Sequence, residues 1–447
     1  MFSQNENGPA GNGTVQRSPR RKLTIVGGAQ RAYHHRCSVR PRSRINQTRI
    51  LFLNRSFWPD HEATGQFLTE LCDDLSRGHE VTVVAGPSRQ RGFAGLRLWS
   101  HEQHGRVSIV RTWGTRFSKS NLAGRLVNLG TYYLLAAVVA LWLPRPDVIV
   151  AETDPPLLGA LAAALKRRWG CRLVYNVQDL YPDIAEVTGG VRSPLLLGLL
   201  RRANDYAYKR SDLIVTLGHD MASRIVNKGV PADKVVVVPN WVDCERIRPL
   251  ENTPLRRSFG GKFVVMYSGN IGLSQQLEAV LEAAGRLRND ERIIFALIGE
   301  GARKKWLEER ALAMGLTNVI FMPYQPLENL AESLSAADLH LIALAPGAAG
   351  CLVPSKIYGI LAAGRPFIAM MEENAEVAQI AREDAVGFVV RPGDVEALAG
   401  AIHEAVDAPQ RLKQMGVRAR RLAELRFDRI KVTSRFGSIL ASVGMQN

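Results

Sequence analysis

Carboxylates are in short supply in this chain: 42 Asp and Glu face 58 Lys and Arg, leaving a net charge of +16. Such an excess invites nucleic acid or an anionic membrane as a partner, but its distribution weakens the first. Residues 1–47 carry nine of the basic side chains (Arg17, Arg20, Arg21, Lys22, Arg31, Arg36, Arg40, Arg42 and Arg44) against Glu6 alone, so half the excess sits in one tail. No apolar stretch there is longer than Leu23 to Val26, which excludes a secretory signal, and an Asn/Gly/Ser/Arg-rich segment buries too little to fold. The tail is expected to be disordered, as a basic arm touching phosphates or as a solvated extension. Cysteine is scarce as well. Cys37, Cys72, Cys171, Cys244 and Cys351 lie far apart without metal-ligand spacing. That excludes a disulfide framework and a structural zinc, and implies a reduced, cytosolic chain.

Long apolar runs are missing too. The most apolar window, residues 126–143, reaches only the lower limit for spanning a bilayer, and Asn128, Gly130 and Thr131 interrupt it. A buried crossover helix is the better reading, because the strand-like run from Pro146 to Ala151 follows at once. Its upstream flank mixes aromatic and basic residues (Trp113, Arg116, Phe117, Lys119, Arg125), a composition suited to resting on an anionic membrane surface. Nucleotide fingerprints are absent: neither Gly269–Asn–Ile–Gly272 nor Gly299–Glu–Gly301 extends to the dinucleotide or phosphate-loop consensus, which disfavours NAD and ATP.

What is present is a regular alternation of short apolar runs and helical patterns, over a length that suits two or three domains. Strands are expected at 50–54, 81–85, 146–151, 172–177, 213–216 and 235–239, with helices between them. A basic, Pro-containing stretch from Arg246 to Arg257 then reads as a linker. A second block follows, with strands at 263–268, 293–298, 319–322, 338–344 and 367–370. Alternating β and α implies parallel sheets covered on both faces, with ligand loops at the carboxyl ends of the strands. Three terminal helices, to about Ala408, from Arg411 to Arg426 and from Arg429 to Val443, have no strand to feed and are expected to pack back across the domains.

The most informative stretch is LAPGAAGCLVPSKIYGILAAGRPFIA (344–369). It reads as a strand end, a Gly/Pro-rich loop and a helix that Ser355 would cap, with Lys356 in the first turn. A helix start favours an anion and the lysine adds a full charge, so a phosphate is the expected ligand. In the first block, the loop ending at Gly65 holds Asp60, His61 and Glu62, suited to proton transfer or to plain solvation, and its glycine permits close approach to a ligand. Asp179 is the carboxylate nearest a strand end and the best single candidate there for catalysis or substrate orientation, with capping of the next turn as the competing explanation.

The runs ATGQ (63–66), VQDLYPD (177–183), PNWVD (239–243), YSGNIG (267–272), IGEG (298–301), PSKIYGILAAGRPFIA (354–369) and GFVVRPGD (387–394) together resemble the retaining family 4 glycosyltransferases of the GT-B type. The likeness covers about residues 49 to 440 and is strongest to enzymes adding fucose or N-acetylfucosamine in capsule, O-antigen or colanic-acid synthesis. It implies an α/β fold with two Rossmann-like domains whose parallel sheets face a central cleft. The expected division is a tail at 1–47, an acceptor domain at 48–245, a nucleotide-sugar domain at 246–425 and a terminal helix at 426–447.

The implied activity is transfer of a sugar from a UDP- or GDP-linked donor to a polyprenyl-linked glycan, by a cytoplasmic enzyme peripheral to the inner face of the membrane, with no cofactor or metal and no nucleic acid. Gly65, Gly269, Asn270, Ser355 and Lys356 would surround the diphosphate, and Gly301, Met322 and Tyr324 the base. Glu376 would lie near the donor sugar and Asp179 would be the acid of a family His-Asp pair, with Gln178 replacing the His. Two family glutamates fall at Cys351 and Gly359, and the usual Arg and Lys on the diphosphate fall at Asn270 and about Gln275. The alternatives are a nucleotide-sugar epimerase or hydrolase on the same fold and, from another class, a nucleic-acid-binding protein using the basic tail.

Overall fold

The computed structural model describes residues 47–60, 63–88, 98–115, 117, 122–191, 193–272, 275 and 277–445, all within the unit Asn46–Asn447. His61, Glu62, Cys37 and the basic tail lie outside the described residues, as do Arg116 and Lys119.

The first lobe begins with β1 (Arg49–Leu53), α1 (Ala63–Leu75), β2 (Glu80–Ala85), β3 (Trp99–His104), β4 (Val107–Thr112) and α2 (Leu122–Trp142). It continues through β5 (Val148–Ala151), α3 (Leu158–Trp169), β6 (Arg172–Val177), α4 (Asp183–Val187), α5 (Pro194–Arg210), β7 (Leu213–Thr216), α6 (His219–Asn227) and β8 (Val235–Val237). Its eight strands run in the order β3-β4-β2-β1-β5-β6-β7-β8. The inner strands are nearly all Val, Ile, Leu and Phe because helices cover both faces and leave no polar side.

One expectation fails here: the sheet is not purely parallel. β3 pairs antiparallel with β4 through a turn at Gly105, whose φ of 55° suits glycine. The sequence WSHEQH of β3 has no apolar run because this edge strand has little face to bury.

The second lobe starts with α7 (Pro254–Ser258), β9 (Phe263–Ser268), α8 (Glu278–Arg286), β10 (Ile293–Ile298), α9 (Lys304–Ala313), β11 (Val319–Met322) and α10 (Leu330–Ser335). It ends with β12 (Leu339–Ala343), α11 (Lys356–Ala362), β13 (Phe367–Met370), α12 (Glu376–Glu383), β14 (Gly387–Val390), α13 (Val395–Asp407), α14 (Pro409–Leu422) and α15 (Arg429–Gly444). Six parallel strands lie in the order β11-β10-β9-β12-β13-β14. The stretch expected to be a bare linker thus contains α7, whose Thr253 hydroxyl accepts from the Arg256 N–H at 3.1 Å.

α15 returns to the first lobe. Val432, Phe436, Leu440 and Val443 join the core formed by β1, β5, β6 and α1, and Arg429 Nε donates to Asp74 at 2.9 Å. The apolar window is α2, a covering helix rather than a span: Tyr132, Leu135, Ala136, Val139 and Ala140 are buried against the sheet. Among the described residues no helix is long and apolar enough to cross a membrane. The two parallel-sheet lobes meet across a cleft at their strand ends, where the Leu180 N–H donates to the Cys351 carbonyl at 2.7 Å. This is the GT-B architecture.

Candidate active site in the cleft

Lys356 opens α11 and reaches back under the loop after β9. Its ammonium lies 3.8 Å from the centre of the Tyr267 ring, and a Cβ added at Gly269 would stand 3.0 Å from Nζ. Gly269 has φ 145°, a backbone state reserved for glycine, so this approach is built into the turn. Among the described residues no carboxylate pairs with Lys356, and burial pushes its ammonium down to about 7. A partly desolvated cation over a π face is stabilised only in part.

Around it the loops are hydrogen-bonded to one another. The Tyr267 hydroxyl donates to the Asn270 carbonyl at 2.6 Å, and the Ile271 N–H to the Glu300 carbonyl at 2.9 Å. Gly299 and Gly301 owe their identity to this contact, since a side chain on either would collide with the carbonyls of Gly269 and Ile271. Gly301 therefore serves loop-on-loop packing first. It still shares the strand ends with Met322, whose carbonyl accepts from Gly299 N–H at 3.0 Å, and with half-exposed Tyr324.

Three expectations need correction. Ser355 does not cap α11: its backbone is already helical and its hydroxyl makes no capping bond, because the turn begins a residue earlier, with Ile357 N–H donating to the Pro354 carbonyl. Gly65 is not in an open loop but in the first turn of α1, buried, and its vacant side is filled by the backbone of Ser56 and Phe57. Glu376, expected beside a donor sugar, turns its carboxylate to the opposite lobe. Oε2 accepts from the His219 N–H at 2.7 Å and Oε1 lies 3.3 Å from His219 Nδ1. It caps α6, whose own N-cap, Gly218, has no side chain to do so.

Asp179 follows β6 at the lip of the cleft, its backbone bridged to Leu352 of the second lobe. Its N–H donates to Thr153 Oγ1 at 3.0 Å. Among the described residues nothing donates to its carboxylate, so the capping explanation falls away. Burial, then the charge of Asp154, pushes it up to about 6. Asp154 itself accepts from Arg55 Nη2 at 2.8 Å and from Ser56 Oγ. Asp60, between β1 and α1, accepts from Ser88 Oγ at 2.9 Å. Of the missing glutamate positions, Cys351 is fully buried with its thiol toward the Gly347 carbonyl, and a side chain added at Gly359 would meet Leu334.

The residues that sequence reasoning missed are on α6. Asp220 accepts from three backbone N–H groups, Met221 at 2.7 Å, Gly350 at 3.0 Å and Glu376 at 2.9 Å, two of them from the other lobe. Burial nonetheless raises its pKa. His219, Ser223 and Arg224 line a groove of about 260 Å³ shared with Gly350 and Asn374. The signal was available: Leu–Gly–His–Asp (217–220) after a strand and before an amphipathic helix repeats the strand-loop-helix pattern of the other ligand loops.

Residues 64–241 match the family described as Glycosyl transferase 4-like domain, and residues 254–422 the one described as Glycosyl transferases group 1. The chain is 29% identical over 414 residues to "Putative colanic acid biosynthesis glycosyl transferase WcaI" of Escherichia coli, covering 87% of this chain and 98% of that one. It is 30% identical to "Probable glycosyltransferase WbjE" of Pseudomonas aeruginosa, covering 65% and 74% respectively. In fold it is similar to Alr3699/HepE of Anabaena, solved in complex with UDP, with a TM-score of 0.69, 17% identity and coverage of 88% of this chain and all of that one.

Proposed function

The chain belongs to the family 4 glycosyltransferases of the GT-B type, and from that premise we propose that it moves a sugar from a UDP- or GDP-linked donor to a lipid-linked glycan during surface polysaccharide synthesis. The observation that carries this reading is Lys356, a desolvated ammonium held against Gly269 with no carboxylate partner among the described residues. Departure of the sugar leaves its charge on the nucleoside diphosphate, and fixed cations and dipoles stabilise that charge most where water is excluded. Lys356 and the Asn270 carboxamide would take the diphosphate, with Tyr324 and Met322 beside the base. UDP in HepE and the colanic-acid naming of the WcaI relative support the donor class and the pathway type.

Asp179, a carboxylate above about pH 6 and facing the second lobe, would orient the acceptor hydroxyl. We take the anomeric configuration to be kept and the transfer to need no metal, Lys356 carrying the charge. For a lipid-linked acceptor, the first lobe offers an outer stripe on α2, where Val127, Leu134, Leu141 and Trp142 are exposed on or beside the side opposite the buried one, and Phe117 is exposed nearby. This face would rest at the cytoplasmic membrane surface. A melting-temperature panel of UDP- and GDP-sugars tests the donor assignment: a rise for one base class is expected, and no rise with any member would overturn it.

A further inference from the structure

Three central strands of the first lobe end in polar residues that lie side by side. The register pairs Leu53 with Ala151 and Ala151 with Tyr175, so Asn54, Glu152 and Asn176 form a row across β1, β5 and β6. All three are buried, Glu152 to 2% exposure. Asn176 Nδ2 donates to Glu152 Oε1 at 2.9 Å, and Asn54 Nδ2 donates to the Ser56 carbonyl at 2.7 Å. That leaves three shielded oxygens without a partner: Asn54 Oδ1, Glu152 Oε2 and Asn176 Oδ1. Acceptors cannot satisfy one another, and an orphaned buried polar atom costs about 1–3 kcal/mol. Among the described residues no cation faces the row to balance an ionised Glu152. Cys72 approaches from α1 and Asp154 stands two residues on, its charge already paired with Arg55.

We infer that Glu152 is a positioning residue in its protonated form: Oε2–H donates to Asn54 Oδ1 while Oε1 accepts from Asn176. One proton thereby ties together the loops carrying Arg55, Asp154 and Asp179. Asn176 Oδ1 remains for a buried water. Burial, opposed by the Asn176 bond and helped by the Asp154 charge, holds the carboxyl up to about 8, in keeping with the geometry. What those loops serve rests on the proposed transferase reading, but the proton does not, and its test uses no turnover.

The folded carboxyl titrates above its unfolded value, so the proton's stabilisation is complete below about pH 4.5 and is lost as pH rises through about 8. Urea unfolding of the full chain from pH 5 to pH 8 compares wild type with Glu152→Gln, whose carboxamide donates at every pH. Relative to that variant, the wild-type unfolding constant should rise about tenfold per pH unit. At pH 7, where the Asp179 carboxyl is mostly ionised, the wild-type-minus-variant infrared spectrum should show the carbonyl band of one protonated carboxylic acid. Glu152→Gln with a parallel pH slope, or a difference spectrum without the acid band, overturns the inference. If Glu152→Ala fails to fold, the glutamine variant still decides it.

Discussion

At the scale of single residues, the site turns on charges placed where water is thin. Lys356 is the clearest case: its depressed pKa of about 7 means that an arriving diphosphate restores the proton. Nucleotide affinity should therefore be full below about pH 7 and fall as pH rises through the higher pKa of the complex, and calorimetry at pH 6.5 and pH 9 measures the difference. Asp179 behaves in the opposite sense. Its carboxyl, held up to about 6, polarises and orients a hydroxyl most strongly as the carboxylate, so turnover should decline on the acid side below about pH 6. Asp179→Asn should remove that limb along with most of the rate, while leaving donor affinity within about twofold of wild type; loss of donor binding would instead place Asp179 on the nucleotide. The strands that precede both were legible in the sequence, because buried apolar runs at 172–177 and 338–344 had to be strands. What Ser355 does was not legible, because a cap depends on one dihedral angle that residue type does not determine.

At the scale of elements, two helices deserve comparison because they do opposite things with their polar starts. α11 presents a lysine to the cleft, whereas α6 gives its first N–H to Glu376 of the other lobe. Asp220 adds two further bonds across the same junction, from Gly350 and Glu376. Asp220→Ala should free the amides of Gly350 and Glu376, lower stability by about 1–3 kcal/mol and speed hydrogen exchange at those two positions. Protection unchanged at both would remove Asp220 from the lobe junction.

The loop at 217–220 was readable from the sequence, but its partners were not, since residues more than a hundred positions apart meet there. The edge strand β3 escaped notice for a different reason, its polar composition. Regular strands and helices were readable because burial on one or two faces imposes a period.

α2 illustrates the limit of that period. Hydrophobicity all round reads alike for a buried helix and a surface-bound one, and only packing separates the buried Tyr132–Ala136–Ala140 side from exposed Leu134 and Leu141. Replacing both leucines by Ser should reduce co-sedimentation with anionic vesicles several-fold and leave the melting temperature almost unchanged, because each is more than half exposed. Equal vesicle binding would take the membrane contact away from α2.

At the scale of the molecule, two mainly parallel sheets present their carboxyl ends to one cleft, and α15 stitches the end of the chain to the first lobe through Phe436, Leu440 and the Arg429–Asp74 pair. The family likeness predicted this arrangement from motifs in the loops. The packing gives two of the residues it singled out further work, Gly65 in the first turn of α1 and Glu376 as a cap on α6. The account stands on the second lobe gripping a diphosphate through Lys356. Titration of the full-length chain with UDP and with GDP in a calorimeter, for wild type and Lys356→Ala, tests this most directly. A charge-assisted hydrogen bond contributes about 1.5–3 kcal/mol. The variant should therefore bind the preferred nucleotide roughly 10- to 150-fold more weakly. Equal affinity in the two proteins would contradict the account.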